Sequence, residues 1–278
     1  MRTPTGLIGV VHLPPLPGDP GHPAPFVEGP GVEAALEFAW RDADELARGG
    51  VSAIIVENFG SSPFAKGTRD QPSPAYQVAA LARACTGIRA FYDGPLGVNV
   101  LRNDARAALG IAAASGLDFV RVNIHLGAFA TDQGIIEGEA AETLRLRDQL
   151  GLAQQTAILA DVLVKHAAPL APLNAATATS DLIGRGRADA IIVSGAATGA
   201  PVSPELLDEV REASRDRVPI LIGSGLAQDN AAELSPRCHG AIVGTSIKQD
   251  GGVEAPVDAA RTRALAEAVA FRSFAPQS

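Results

Sequence analysis

Three ionisable residues interrupt an otherwise apolar segment, ILADVLVKHAAPLAP, at residues 158–172. Asp161, Lys165 and His166 stand where a buried strand would carry apolar side chains. A buried charge is costly unless it is paired, ligated or solvated, so the segment predicts either a functional site or a structural ion-pair network. A partly desolvated lysine acts as a base or adds to a carbonyl, and a neighbouring histidine transfers protons near neutral pH.

The alternation of side chains along a strand predicts which polar residues share a cavity. In FVRVNIH (119–125), the apolar residues fall on one side and the polar residues on the other. In the segment above, Asp161 and Lys165 share a side, with Asp161 about one layer deeper. Further polar residues stand in or end the neighbouring apolar runs. The predicted catalytic set consists of Lys165, His166, Glu57, Asp161, Asn123 and His125, and the predicted substrate contacts beside it are His12, Asn99 and Arg121.

A divalent metal is an open alternative for part of this set. Glu57 and Asp161 could serve as general bases, or could join His12 and His166 as metal ligands. No compact metal motif such as HExxH is present.

Glycine-rich turns follow the last three predicted strands. ILIGSG ends at residue 225, AIVGTSIK spans 241–248, and VSGAATGAP spans 193–201. Barrel enzymes often bind phosphate with the loops after strands 7 and 8, where backbone amides and hydroxyls donate to the anion. The alternative is that the glycines only permit tight turns. The predicted binding residues of these loops are Ser194, Gly195, Thr198, Gly223, Ser224, Gly225, Gly244, Thr245 and Ser246.

Eight short apolar runs alternate with helical patterns along the chain. The runs span 7–13, 52–58, 96–101, 118–125, 157–165, 189–195, 218–225 and 240–247, with helices expected near 31–48, 74–86, 103–115, 137–150, 172–185, 203–214, 228–234 and 257–270. This alternation predicts a (β/α)₈ TIM barrel, with a doubly wound open sheet as the alternative. No composition shift divides the chain, so residues 1–278 are expected to form one domain. Long loops follow the first two strands, at 14–31 and 59–74, and suggest lids or binding loops, with a cover for hydrophobic surface as the alternative.

Composition narrows the classes of function. The 278 residues are 46% hydrophobic and carry a net charge of -8, which argues against nucleic-acid binding and against docking on anionic lipid. No segment predicts a transmembrane helix or a signal peptide, and the two cysteines suit a reducing compartment. We therefore expect a cytoplasmic protein. Because homo-oligomers are common among barrels, we expect one here.

Several longer motifs resemble one known family. GVVHLPPLPGDP (9–20), DVLVKHAAPL (161–170), VSGAATGAPV (193–202), LIGSGLAQDN (221–230) and GAIVGTSIKQDGG (240–252) are similar to the signatures of the BtpA/SgcQ family. The resemblance runs from about residue 7 to about residue 252 and implies a TIM barrel. The family name implies a role in photosystem I biogenesis, whereas similar proteins occur in non-photosynthetic organisms, some beside sugar-metabolism genes. The family brings no settled activity and no proven catalytic residues.

Three functional hypotheses follow. The first is an enzyme that acts on a phosphorylated small molecule, a sugar or nucleoside phosphate, by lyase, isomerase or aldolase-type chemistry. The second is a non-enzymatic factor for the biogenesis or stability of a membrane complex such as photosystem I. The third, flavin binding through the same phosphate loops, is the least expected, and no cofactor is required by the sequence.

Overall fold

The computed structural model describes residues 3–22, 31–195 and 200–275, which contain eleven strands, eight α-helices and four short 3₁₀ turns. The strands are β1 (Gly6–His12), β2 (Ala53–Glu57), β3 (Leu96–Asn99), β4 (Phe119–Val122), β5 (Ala128–Thr131), β6 (Gly134–Glu137), β7 (Ala157–Val162), β8 (Ala167–Pro169), β9 (Ala190–Val193), β10 (Ile220–Ile222) and β11 (Gly240–Val243). The α-helices are α1 (Gly31–Arg48), α2 (Ala75–Arg89), α3 (Ala105–Ser115), α4 (Ala140–Gln149), α5 (Ala175–Gly184), α6 (Pro204–Ser214), α7 (Ala231–Leu234) and α8 (Ala259–Ala268).

Eight of the strands close into a parallel barrel. Their order around the barrel is β1-β11-β10-β9-β7-β4-β3-β2, and β1 pairs in parallel with both β11 and β2. This closure confirms the predicted (β/α)₈ barrel and excludes the open doubly wound sheet. The seventh and eighth predicted strands are β10 and β11.

Apolar side chains fill the lower and middle part of the barrel interior. They are Ile8, Val10, Ala53, Ile55, Phe119, Ala157, Leu159, Ala190, Ile192, Leu221 and Ile242. Gly97 makes room for the largest of them, because a Cβ at this position would lie 2.3 Å from the Phe119 ring. The interior is therefore a packed core that supports the polar residues above it.

At the N-terminal end of the barrel, acidic residues tie neighbouring strands together. Asp118, just before β4, accepts from the Leu96 amide at the start of β3 at 2.9 Å. Asp189, just before β9, accepts from the Ile158 amide of β7 at 2.8 Å. Each carboxylate also accepts at 2.6 Å from an arginine in the last turn of a helix. These charge-assisted bonds fix the strand register at this end.

A histidine performs the same task between β10 and β11. His239, just before β11, accepts from the Ile220 amide through Nδ1 at 3.0 Å. Burial is the main reason why the pKa of His239 lies below its ordinary value. The neutral ring can therefore keep Nδ1 as an acceptor.

A small antiparallel sheet was not expected from the sequence. Its strand order is β6-β5-β8, and it packs Phe129 and Ile136 against Ile124 and Val164. The helix expected near 137–150 begins at Ala140 instead, because residues 134–137 form β6. The sheet lies in the loops after β4 and β7, so it adds a layer at the C-terminal end of the barrel.

Serine and asparagine are preferred caps, so their positions before two predicted helices predict Ser203 and Asn103 as caps. Ser203 does cap α6 and accepts from the Leu206 amide at 3.2 Å. Asn103 does not cap α3, because Asp104 takes this role and Asn103 reaches across to the backbone of Ile124.

Cys85 and Cys238 are both buried and free. None of the described helices is long and apolar enough to cross a bilayer.

Candidate functional site

A cleft opens at the C-terminal end of the barrel, between charged side chains on one wall and two glycine-rich turns on the other. It holds about 480 Å³ of space, including the part that is open to solvent. It is lined by Val10, His12, Glu57, Phe59, Arg121, Lys165, Gly223, Ser224, Gly225, Leu226, Ile242, Val243, Gly244, Thr245 and Ser246. The structure thus brings together residues from the early strands, from the loop after β7 and from the last two strand ends.

Strand register places three of the predicted residues at one level. His12 pairs with Glu57 across β1 and β2, and Glu57 pairs with Asn99 across β2 and β3. Asn99 donates to Glu57 Oε1 at 3.2 Å, and His12 Nε2 lies 3.8 Å from Glu57 Oε2. Asn99 therefore holds Glu57 on one side at the edge of the cleft, and the His12 ring lies on its other side.

Arg121 is the centre of a buried ion-pair network below the cleft. Its Nε and Nη2 donate to the two oxygens of Asp161 at 3.0 and 2.9 Å, and Nη1 donates to Glu57 at 3.3 Å. Asn123 donates to the same Asp161 carboxylate at 3.0 Å. Both Asp161 oxygens are thus occupied, so the geometry favours the ion-pair alternative for this residue over the predicted base.

The network keeps Glu57 ionised. Burial alone would raise the pKa of Glu57, but Arg121, followed by His12 and Lys165, holds it below its ordinary value. Burial likewise opposes the charge of Arg121, yet Asp161 and Glu57 raise its pKa. The cleft floor therefore carries fixed charges at neutral pH.

Lys165 reaches the cleft from a loop and not from a strand. β7 ends at Val162, and Leu163 has a positive φ of 48°, so the strand alternation used for Lys165 does not apply. The pKa of Lys165 is lowered, mainly by burial and then by Arg121, with Glu57 acting in the opposite direction. A larger share of this amine is therefore neutral at pH 7 than for an exposed lysine.

Two predicted catalytic histidines lie outside the cleft. His125 is 1% exposed, and its Nε2 bonds to the carbonyl of Gly186 beyond α5, because β4 ends before the alternation reaches it. His166 is exposed, has a positive φ of 56° and does not line the cleft. The structure therefore separates Lys165 from the histidine next to it in sequence.

His12 is the histidine that lines the cleft. Burial, which outweighs the attraction of Glu57, lowers its pKa to about 4, so the ring is neutral at pH 7. Its Nδ1 is buried and finds no hydrogen-bond partner within the described residues.

The turns after β10 and β11 present open backbone amides. The N–H groups of Ser224, Gly225, Thr245 and Ser246 find no acceptor in the described part of the chain. The buried Oγ of Ser224 is also without a partner there. These donors converge on the same wall of the cleft.

The glycines of these turns are explained by packing. A Cβ at Gly244 would lie 2.9 Å from the His12 ring, and a Cβ at Gly225 would lie 2.2 Å from the Ala200 carbonyl oxygen. Gly195 faces the same carbonyl at 2.4 Å, and Gly223 faces Ser194 Oγ at 2.3 Å. The tight-turn alternative therefore accounts for the missing side chains, while the amides of the turns stay open.

The loop after β9 is only partly described. Ser194 is buried, and its Oγ has no partner among the described residues, but it does not line the cleft. Thr198 lies outside the described residues.

The described residues contain no group of three or more acidic, histidine or cysteine side chains placed to hold a metal ion. Arg121 and Asn123 occupy the oxygens of Asp161, and His166 does not line the cleft. The four proposed metal ligands are therefore not brought together.

The sequence did not predict a role for three further polar residues near the cleft. Asn58 brackets Leu101 by donating to its carbonyl at 3.2 Å and accepting from its amide at 2.7 Å. Arg102 lies three residues after the end of β3. It is 6% exposed and donates to the Lys165 carbonyl at 2.8 Å. Lys248 is fully buried and donates to the Val253 carbonyl at 2.7 Å. Asn58 ends one apolar run and Arg102 directly follows another, and these positions are the one signal that marks them.

Comparison with known proteins agrees with the resemblance of the motifs. The sequence profile of the BtpA family matches residues 3–271. The chain belongs to the BtpA family. It is 45% identical to the photosystem I biogenesis protein BtpA of Synechocystis over 97% of this chain and 89% of the relative. It is also 31% identical to an uncharacterized mitochondrial protein of Caenorhabditis elegans, over 92% of this chain and 89% of the relative.

Solved structures with low sequence identity share the fold of this family member. A tryptophan synthase from M. tuberculosis has a TM-score of 0.57 at 20% identity, covering 96% of this chain and 94% of that one. A thiamine phosphate pyrophosphorylase from Pyrococcus furiosus has a TM-score of 0.54 at 16% identity, covering 94% of each chain. Both likenesses confirm the TIM barrel.

Proposed function

We propose that this BtpA-family protein is an enzyme that acts on a phosphorylated small molecule, a sugar or nucleoside phosphate. The observation that carries the proposal is the cleft itself, which is lined both by Lys165 and by two turns whose amides have no acceptor among the described residues. Some of the solved structures that share the fold are enzymes whose names refer to phosphorylated compounds, which agrees with this class of ligand. A cytoplasmic location and a homo-oligomeric state stay predictions.

The phosphate group would bind the turns after β10 and β11. Amide N–H groups and the hydroxyls of Ser224, Thr245 and Ser246 are neutral donors that suit a phosphate without requiring a lysine or arginine. The substrate would then extend from this wall toward Glu57 and Lys165.

The reactive end would meet Lys165. A neutral amine adds to a carbonyl carbon and forms an imine with loss of water, or it takes a proton from the carbon next to the carbonyl. Glu57, ionised at the cleft edge, would orient a substrate hydroxyl. Both routes belong to lyase, isomerase or aldolase-type chemistry.

The test combines trapping with proton exchange. The protein is incubated with ketose and aldose phosphates in D₂O, followed by NMR of the sugar and, in parallel, by borohydride reduction and mass spectrometry. We expect deuterium incorporation or a reduced adduct on Lys165, both lost in Lys165→Met and both kept in Lys66→Met. The chain has three lysines, so an adduct is assigned without ambiguity. Unchanged exchange and labelling in Lys165→Met would remove this residue from the chemistry.

A non-enzymatic biogenesis role is the second candidate. The 45% identity to the Synechocystis photosystem I biogenesis protein favours it. The relative in an animal, which has no photosystem, favours a chemistry shared by the whole family. An experiment that distinguishes the enzymatic from the biogenesis role is to express this chain in Synechocystis cells that lack their own BtpA. Restoration of photosystem I by Lys165→Met as well as by the wild type would favour the biogenesis role.

A further inference from the structure

The two carboxylate oxygens of Glu57 differ in their partners. Oε1 accepts hydrogen bonds from Asn99 at 3.2 Å and from Arg121 at 3.3 Å. Oε2 accepts none from the described residues, and His12 Nε2 lies 3.8 Å from it, which is beyond hydrogen-bonding distance. Because Glu57 lines the cleft, Oε2 is the oxygen left to accept a hydrogen bond from a ligand there.

An unbonded oxygen at this position is costly. Only 7% of the Glu57 side chain is exposed, so little water can solvate it, and the carboxylate is ionised. A buried acceptor that lacks a donor raises the free energy of the folded state, and a ligand that supplies the donor removes this cost.

The charges around the carboxylate favour a neutral donor over a cation. Glu57 and Asp161 carry two negative charges at the floor of the cleft. Arg121 and Lys165 are two cations beside them, and both act on Glu57. The carboxylates are thus matched in number by cations, so the site does not require a positive charge from the ligand. A hydroxyl group therefore suits Oε2.

His12 lies between this oxygen and the turn after β11. A Cβ at Gly244 would lie 3.6 Å from His12 Nε2, and the same nitrogen lies 3.8 Å from Glu57 Oε2. The open amides of Thr245 and Ser246 follow Gly244 directly. One imidazole ring thus separates the turn from the carboxylate. A ligand that reaches both needs few bonds between its phosphate and its hydroxyl.

We infer that Glu57 Oε2 binds a hydroxyl on the carbon next to the phosphate-bearing carbon, and that the ligand is an open-chain sugar phosphate and not a nucleoside 5′-phosphate. This inference rests on the proposed function, because it places the phosphate on the turns after β10 and β11. In a nucleoside 5′-phosphate, the corresponding carbon carries the ring oxygen, which has no proton to donate. An open chain also presents the free carbonyl to which the Lys165 amine would add.

The test compares ligands that differ in this hydroxyl alone. Calorimetry measures the Kd of glycerol 3-phosphate and of 3-hydroxypropyl phosphate, which lacks the middle hydroxyl, with AMP and UMP as nucleoside 5′-phosphates. We expect glycerol 3-phosphate to bind at least about tenfold tighter than each of the other three, because a hydrogen bond to an ionised acceptor is strong.

A variant assigns the preference to the carboxylate. Glu57→Gln should reduce the preference for glycerol 3-phosphate over 3-hydroxypropyl phosphate to less than about threefold, because a neutral amide is a weaker acceptor. Inorganic phosphate should bind this variant at least as tightly as the wild type, since a negative charge near the anion is removed. Glu37→Gln, at an exposed position of α1, should keep the wild-type preference.

The outcomes separate this inference from the proposed function. Equal binding of glycerol 3-phosphate and 3-hydroxypropyl phosphate, nucleotide binding as tight as that of glycerol 3-phosphate, or an unchanged preference in Glu57→Gln would overturn the inference and leave phosphate binding intact. Tighter binding of serinol phosphate, which carries an ammonium in place of the hydroxyl, would also overturn it. A protein that binds none of these compounds and no inorganic phosphate would overturn the proposed function as well. The wild-type comparison needs no variant, so it decides the question even if Glu57→Gln does not fold.

Discussion

At the N-terminal end of the barrel, Asp118 and Asp189 each accept a backbone amide and an arginine, whereas at the C-terminal end Lys165 and four turn amides face an open cleft. Both ends of a parallel barrel have strand termini and loops to stabilise. The first end uses its charges to satisfy its own backbone. The second leaves the turn amides without acceptors and the Lys165 amine without an ion pair among the described residues.

The difference shows where stability and binding are separated in this chain. Polar groups bonded to backbone amides lower the free energy of the folded state. Buried donors that lack partners raise it, so they persist where a ligand completes them. The Arg121 network lies between the two ends. Its charges are paired with one another, as at the N-terminal end, but Arg121 and Glu57 also line the cleft.

Replacing Arg121 by methionine should have the largest effect on stability. The change leaves Glu57 and Asp161 as buried carboxylates without their counter-charge, which costs about 3–5 kcal/mol of unfolding free energy. Urea unfolding at pH 7 measures it, with Arg83→Met on the exposed surface as the control. A loss below about 1 kcal/mol would show that the network does not hold the barrel together.

The pH dependence of stability should carry a contribution from His12. Its folded pKa of about 4 lies below the ordinary value of 6.5, so the unfolded chain takes up the proton first as pH falls. The neutral ring contributes at most about 3 kcal/mol to the unfolding free energy. This contribution is complete above about pH 6.5 and is lost as the pH falls toward 4. His12→Gln should remove this part of the pH profile. Identical wild-type and variant profiles between pH 4 and 6.5 would contradict the buried neutral ring.

Replacing Asp189 by alanine should destabilise the protein without touching the cleft. The change breaks the bonds from Arg147 and from the Ile158 amide and should cost about 2 kcal/mol. Asp148→Ala, at an exposed position of α4, should stay within about 0.5 kcal/mol. Ligand binding should be unchanged in both variants. Weaker ligand binding in Asp189→Ala would break the separation of the two ends.

The smallest effect is expected for the lysine of the cleft. Lys165→Met should change the unfolding free energy by about 0.5 kcal/mol or less, because its amine has no ion pair within 4.0 Å among the described residues. Lys248→Met, the matched change at a buried lysine, should cost about 1–2 kcal/mol through the lost bond to the Val253 carbonyl. Equal losses in the two variants would show that Lys165 is structural too.

The sequence was informative where strand alternation holds. It placed Arg121 and Asp161 on the same inner side because both lie within or next to regular strands. It misplaced His125 because β4 ends at Val122, and a short strand gives no sign of where its alternation stops. Lys165 was expected at the mouth and lies there, but it arrives through a loop with positive φ at Leu163.

Features that depend on distant pairing were not predictable from one sequence. β5 pairs with β8 across more than thirty residues, and only the hairpin turn near Gly134 carries a local signal. The hydrogen bond from Arg102 to the Lys165 carbonyl is likewise a property of the assembled barrel, because it joins residues that are 63 positions apart in the chain.

Titration of the ¹⁵N-labelled protein with inorganic phosphate, followed by amide NMR, measures anion binding at each turn residue by residue. We expect saturable shifts at Ser224, Gly225, Thr245 and Ser246, with the Leu96 and Ile158 amides at the opposite end unchanged. Shifts that are absent from both turns, or that are equally large at the two ends of the barrel, would contradict this expectation.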